Sequence, residues 1–183
     1  MYIIICLDDN NGLAFNHRRQ SQDRIVAEDI RKTVGEKKLW ITDYSRKLFQ
    51  AVSNLEISEN PKEEAKKGEY VFQELETLDT DDEQIEQFII YRWNRVYPAD
   101  VSVEIGVEWK LTETEEFLGF SHEKITKEIY DLSLQSQSKQ TELTACEEDI
   151  IAAEKELETA YKKLEMDIKR RSVSAISSKV LLL

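Results

Sequence analysis

The sequence predicts an α/β (α+β) protein, a mixed β-sheet domain with flanking helices and a long C-terminal helix. Three observations carry this expectation. Apolar, β-branched runs of strand length alternate with helix-like segments in the first half of the chain. Strand-like segments dominate the middle, which points to a sheet that is not purely parallel. From about His122 a heptad spacing takes over. The expected organisation is an α/β sheet domain over residues 1–120, a coiled-coil-like helix over 121–171 and a tail over 172–183.

Each element has a local reason. Tyr2–Leu7 is a continuous apolar run stopped by Asp8, Asp9, Asn10, Asn11 and Gly12, which reads as a buried strand and a turn. A helix starts near Ser21, with Ser21, Asp23 or Asn16 as cap, Ile25, Val26 and Ile30 as apolar face, and Gly35 as stop. Lys38–Thr42 is a second strand and Asp43–Val52 a second helix. Glu69–Leu75 and Gln87–Trp93 are strands separated by an acidic turn. Val101–Val107 and Glu108–Thr114 suit a hairpin around Gly106. In the last third, Ile129, Leu143, Ile150, Leu157 and Leu164 recur every seventh or fourteenth residue, with Ile125, Leu132, Cys146, Ala153 and Ala160 as the second seam. Ser136 and Lys139 interrupt it. A helix this long needs a partner, so a homodimer through it is expected, with an intramolecular helical hairpin as the alternative.

Composition narrows the function classes. The 183 residues carry 37 acidic and 25 basic side chains, a net charge of -12, so bulk electrostatics do not favour nucleic acid. Residues 56–87 hold twelve acids against three lysines, a solvated loop or a mimic of a phosphate backbone. Cys6 and Cys146 make no paired spacing, which suits a reducing compartment, and no run is apolar enough to span a bilayer. The expected location is inside the cell. Phosphate-loop, dinucleotide-loop, GxSxG and zinc patterns are absent.

Candidate chemistry concentrates in Met1–Arg24. Asp8 and Asp9 end the first strand, where α/β ligand sites collect. They orient a site or hold a divalent metal such as Mg; alternatively they only terminate the strand. His17 is one of two histidines and a candidate general base. Arg18, Arg19 and Arg24 suit phosphate, or else bridge the helix to neighbouring acids. His, Arg and Asp together are what RNA cleavage needs. Gln22, Arg92 and Arg95 add RNA-binding candidates, with Trp93 and Tyr97 able to stack on bases or fill a core edge. His122, beside the cap candidate Ser121, is free to join the first cluster, although no spacing rule requires it.

The blocks FNHRRQSQDR (15–24), KLWITDYS (38–45), YRWNRVYPAD (91–100) and SHEKITKEIY (121–130), with the opening strand and its Asp pair, resemble the type II-A anti-CRISPR proteins. They resemble specifically the eighteenth named family and its relative the seventeenth. The resemblance implies inhibition of the type II-A RNA-guided DNA endonuclease by truncating its single guide RNA. The alternative it leaves is a non-enzymatic acidic inhibitor that binds the endonuclease and blocks guide RNA or DNA. The implied partners are that endonuclease and its guide RNA, with no membrane, and the implied location is the cytoplasm of a bacterial host cell.

Overall fold

A computed structural model describes residues 1–133 and 150–166. The chain divides into two compact units, Met1–Ser136 and Gln137–Leu183. In the first unit the strands of the main sheet are β1 (Tyr2–Leu7), β4 (Leu39–Ile41), β5 (Leu55–Ile57), β6 (Tyr70–Phe72), β7 (Gln87–Arg92), β9 (Trp109–Phe117) and β10 (Ile125–Leu132). A small second sheet holds β2 (Gly12–Phe15), β3 (Arg18–Arg19) and β8 (Val101–Ser102), and the helices are α1 (Arg24–Val34) and α2 (Pro61–Glu64).

The main sheet runs β5-β4-β6-β1-β7-β10-β9. Its first five strands are parallel, and β10 pairs antiparallel with both β7 and β9. The expected mixed sheet with flanking helices is present. β1 lies centrally between β6 and β7. That position explains its unbroken apolar sequence, because a central parallel strand is buried on both faces. Alternation along the strands sends Ile4, Phe72, Ile89 and Tyr91 to the face covered by Val26, Ile30 and Val34 of α1. Ile3, Ile5, Leu7, Val71, Phe88 and Ile90 go to the opposite face, under Leu13, Ile85, Val103 and Trp109.

α1 is built as its sequence suggests. Asp23 is the N-cap and accepts from the Ile25 N–H at 2.9 Å, while Gly35 ends the helix at φ 59°, a left-handed conformation that glycine adopts without strain. Ser21 and Asn16 lie before the helix, and Asn16 belongs to a turn instead.

Three expectations fail. The helix over Asp43–Val52 shrinks to a 3-10 turn at Asp43–Ser45, followed by irregular turns that still bury Phe49. The hairpin around Gly106 does not form: Val101 and Ser102 pair with β2, and Trp109–Phe117 pairs with β10. The helix expected to begin near His122 is a strand at Ile125–Leu132. There Ile125 joins the α1 side of the core while Tyr130 and Leu132 pack on the other. A period of two fits these positions as well as a heptad does, and the β-branched Ile125, Thr126 and Ile129 favour the sheet.

Residues 150–166 form a helix, α3, within the second unit. Its Ile150, Leu157 and Leu164 are exposed at seven-residue spacing. Residues 134–149, with the interruption at Ser136 and Lys139, and the tail from residue 167 lie outside the described residues. Among the described residues no helix is long and apolar enough to cross a membrane.

Candidate functional site

The carboxyl end of β1 carries Asp8, which is fully buried. Its Oδ1 accepts from the N–H groups of Asn10 and Gly12 at 2.8 and 2.7 Å. Its Oδ2 accepts from the Tyr97 N–H at 2.9 Å and from Gln20 Nε2 at 3.2 Å. All of its lone-pair directions are thus used in holding the turn and the 93–100 loop together. A Cβ on Gly12 would lie 3.0 Å from Asp8 Oδ1 and 2.6 Å from the Ala99 Cβ, so this close approach requires glycine. Asp9 is exposed, and its backbone N–H donates to the Arg95 carbonyl at 2.9 Å. Among the described residues no group of three or more His, Cys, Asp or Glu is arranged to hold a metal ion.

The histidine and arginines of the opening stretch do not converge on Asp8. Asn16 and His17 have φ of 50° and 57° and form the tight turn between β2 and β3, with the His17 ring in solvent. Two positive φ values are what a two-residue hairpin needs to match strand twist. Arg18 is exposed beside it, as are Gln22 and Arg95. Arg24 lies flat on Phe120, its guanidinium carbon 3.5 Å from the ring centre. Arg92 is tied by Glu128 Oε2 at 2.8 Å, Asn11 Oδ1 at 2.7 Å and the Asp8 carbonyl at 3.3 Å. Arg19 turns inward to Glu74, 3.0 Å away, with its guanidinium 4.5 Å from the Tyr44 ring centre. Of Arg18, Arg19 and Arg24, Arg19 is the one that pairs with an acid among the described residues, as the alternative to a phosphate clamp supposed.

Arg19 leads to the cleft that the fold builds at the carboxyl ends of β1 and β6, where open α/β sheets place their ligands. Its walls are Val26, Ala27 and Ile30 of α1 on one side and Leu48 and Phe49 on the other, over Cys6, Phe72 and Trp93. Counted to its open mouth it holds about 400 Å³ of empty space, of which about 20 Å³ is wide enough for water. Its polar rim is unusual. Arg19 Nη1 and Gln20 Oε1 are enclosed there and lack hydrogen-bond partners among the described residues, while Glu74 Oε1 faces Arg19 Nη2 at 3.0 Å. Glu74 is only 5% exposed. Burial pushes its carboxyl above the usual range, against the opposing pull of Arg19 and of the Ser45 hydroxyl that donates to it. Cys6 is a free thiol on the same floor, and burial, reinforced by Glu74, pushes it well up into the inert, protonated form.

A second cluster closes the mouth. The β9–β10 loop folds back onto the start of α1 through Asp23. Asp23 Oδ1 accepts from Ile25 and Phe120 N–H, both at 2.9 Å. Oδ2 accepts from Ser121 N–H at 2.7 Å and Ser121 Oγ at 3.0 Å, with His122 Nδ1 at 3.1 Å. Burial alone would raise this carboxyl; these donors hold it far below the usual range instead. An ionised Asp23 places the imidazole proton on Nδ1 and leaves Nε2 as the acceptor. Nε2 lies 3.1 Å from Ser21 Oγ and 3.3 Å from the Tyr97 hydroxyl. Trp93 stacks on the imidazole, centroids 4.7 Å apart and planes 24° from parallel. By sequence, Ser21, Asp23, Ser121 and His122 stand out only as caps or loose candidates, and no motif singles out Glu74. The one early signal was that Asp23 and Ser121 both read as helix caps, and only one helix start exists there.

No protein-family model matches the chain, and no curated relative matches it. Solved structures do. One is a dihydrofolate reductase from Enterococcus faecalis complexed with NADP(H) and RAB-propyl, similar with a TM-score of 0.50 at 10% identity over 72% of this chain and 95% of that one. At such identity the likeness shows the fold, a dihydrofolate reductase-like mixed sheet. It overturns the anti-CRISPR resemblance and, with it, guide-RNA truncation, the ribonuclease roles for His17 and the arginines, and the acidic-inhibitor alternative. The resembling blocks fall on these parts of the fold: the buried Asp8 turn, the β2–β3 hairpin leading to the α1 cap, β4 with its 3-10 turn, the end of β7, and the loop leading into β10.

Proposed function

We propose that the first unit is a small-molecule-binding domain whose cleft takes a flat heteroaromatic ring by its hydrogen-bonding edge. The observation that carries this is a pair of enclosed, unpartnered polar atoms on one rim, a donor at Arg19 Nη1 and an acceptor at Gln20 Oε1, beside the buried Glu74 carboxyl. A buried polar atom without a partner costs about 1–3 kcal/mol, which a ring bearing an amide-like donor–acceptor edge would recover. The apolar walls suit the faces of such a ring. The pterin of a dihydrofolate, named in the structural neighbour, belongs to this chemical class. Admission requires Leu48 and Phe49 to part from α1, since the cleft is narrower than a ring. The same reading places the protein in the cytoplasm, where the thiol of Cys6 stays reduced.

A dinucleotide such as NADP(H) fits this chain poorly. Its pyrophosphate needs a glycine-rich turn or cations. Residues 73–86, which follow β6, contain seven acids and no Gly, Lys or Arg. The adjoining groove of about 440 Å³ is lined by Glu59, Glu63, Glu74, Glu76 and Asp82, and its Lys62 is held by Asp82 at 3.3 Å. No hydride transfer is therefore assigned.

Titration calorimetry of the full chain with folic acid, dihydrofolate, guanine and NADPH tests the reading. Saturable binding of at least one free ring compound is expected, with Glu74→Gln and Arg19→Ala each weakening it by about tenfold or more, or ~1.4 kcal/mol. Absence of binding by every ring compound would defeat the proposal.

A further inference from the structure

Ser21, His122 and Asp23 stand in the order that a serine nucleophile, its base and the base's orienting carboxylate require. The first distance is 3.1 Å, from Ser21 Oγ to His122 Nε2, and the second is 3.1 Å, from His122 Nδ1 to Asp23 Oδ2. Both lie within the reach typical of such relays. Neither the fold nor any motif demands the arrangement, because Ser21 and His122 are 101 residues apart and no GxSxG is present. The parts are also held rigidly. Trp93 fixes the imidazole plane from one side. Gly119, whose Cβ would come within 2.7 Å of Asp23 Oδ2, lets the loop approach closely. Asp23 itself is anchored by α1 and by two loop N–H groups, and its donors keep it ionised. Ser21 remains partly exposed and lines the cleft, so a substrate can reach its hydroxyl. The Tyr97 hydroxyl, beside the same Nε2, is a ready donor for a developing oxyanion.

We infer that Ser21 is a catalytic nucleophile, activated by His122 and oriented through Asp23, that cleaves small carboxylic esters at the mouth of the cleft. Ser21 Oγ adds to the ester carbonyl carbon while His122 Nε2 takes the hydroxyl proton. The carbon–oxygen bond to the alcohol then breaks, and the alcohol leaves with that proton. Water repeats the sequence on the acyl–Ser21 ester, releasing the acid and restoring the serine hydroxyl. Tyr97 donates to the carbonyl oxygen as negative charge gathers on it.

The test uses the full chain with p-nitrophenyl acetate and, separately, an alkyl fluorophosphonate. In the latter the Ser21 oxygen–phosphorus bond forms as fluoride leaves. A burst of about one p-nitrophenolate per chain is expected, and mass spectrometry should find the phosphonate on Ser21. Ser21→Ala should carry no label, and His122→Gln should label at least a hundredfold more slowly. Ser21→Cys should still be acylated by p-nitrophenyl acetate, which separates loss of the nucleophile from loss of the fold. Ser102→Ala, an exposed position on β8, should label like the wild type. A wild-type protein that stays unlabelled, a label on another residue, or a His122→Gln protein as fast as the wild type overturns the inference. None of these outcomes depends on whether the cleft binds a heteroaromatic ring.

Discussion

Asp23 serves the helix and the loop at once, so its protonation state reaches both. Its folded-state carboxyl lies below the ordinary aspartate range, held there by the Phe120 and Ser121 N–H groups, His122 and the Ile25 N–H against its own burial. A depressed acid contributes stability that is fully present above the unfolded value and is lost as pH falls towards the folded one. Stability measured by urea titration should therefore fall below about pH 4, and Asp23→Asn should flatten that acid limb. Glu74 has the opposite sign, since its raised carboxyl favours the folded state below the ordinary glutamate value and withdraws that support as pH rises. Asp23→Ala removes a cap and leaves enclosed N–H groups without an acceptor, a loss of roughly 3 kcal/mol. Gly119→Ala is expected to release the loop as well, because the new Cβ would also sit 2.9 Å from the His122 carbonyl, and thermal melts would show a lower Tm. At this scale the sequence disclosed residue types but not their meetings. Asp8 could be read as a strand terminator from its neighbours alone, because the donors at Asn10 and Gly12 are local. The pairing of Asp23 with His122 spans 99 residues and leaves no local trace.

Elements were legible where the period of burial was unambiguous. β1, β4, β6 and β7 follow from short β-branched runs, and α1 from its cap, its apolar spacing and Gly35. β10 was misread because Ile125, Ile129 and Leu132 satisfy a helical period as well as a strand period, and only the neighbouring β7 decides between them. The decision is reinforced on the α1 side. Lys127 Nζ donates to Asp29 Oδ2 at 2.7 Å and to Thr33 Oγ1 at 2.8 Å, while the Tyr91 hydroxyl donates to the same Asp29 oxygen at 2.7 Å. Lys127→Met should leave Asp29 short of a cation and destabilise the domain by about 1–3 kcal/mol, read from denaturant midpoints. α3 keeps the heptad that β10 lost. Its apolar seam has a second copy of itself as the expected occupant. Light scattering should give about twice the chain mass, and Leu157→Glu should return it to the monomer; a monomeric wild type would remove this pairing.

At the scale of the whole molecule, the fold class was readable and the family was not. The alternation of strands and helices, then strands alone, constrains the sheet to be mixed, whatever the chain does with it. The resembling blocks point elsewhere because turns, caps and strand ends recur in unrelated proteins for the same physical reasons. Since Met1–Ser136 holds both faces of the core, a chain ending at Ser136 should fold alone and melt cooperatively, with a Tm within about 5 °C of the full chain by circular dichroism. The position of β9 has a consequence for how crowded copies of this protein behave. Among the described residues it pairs on one side only, with β10, and it is nine residues long, enough to template another strand. Its exposed Glu113, Glu115 and Glu116 place carboxylates along that open edge. A strand arriving there from another copy would bring its own carboxylates alongside, so the acidity that weighs against anionic ligands also guards the sheet against growing into an aggregate.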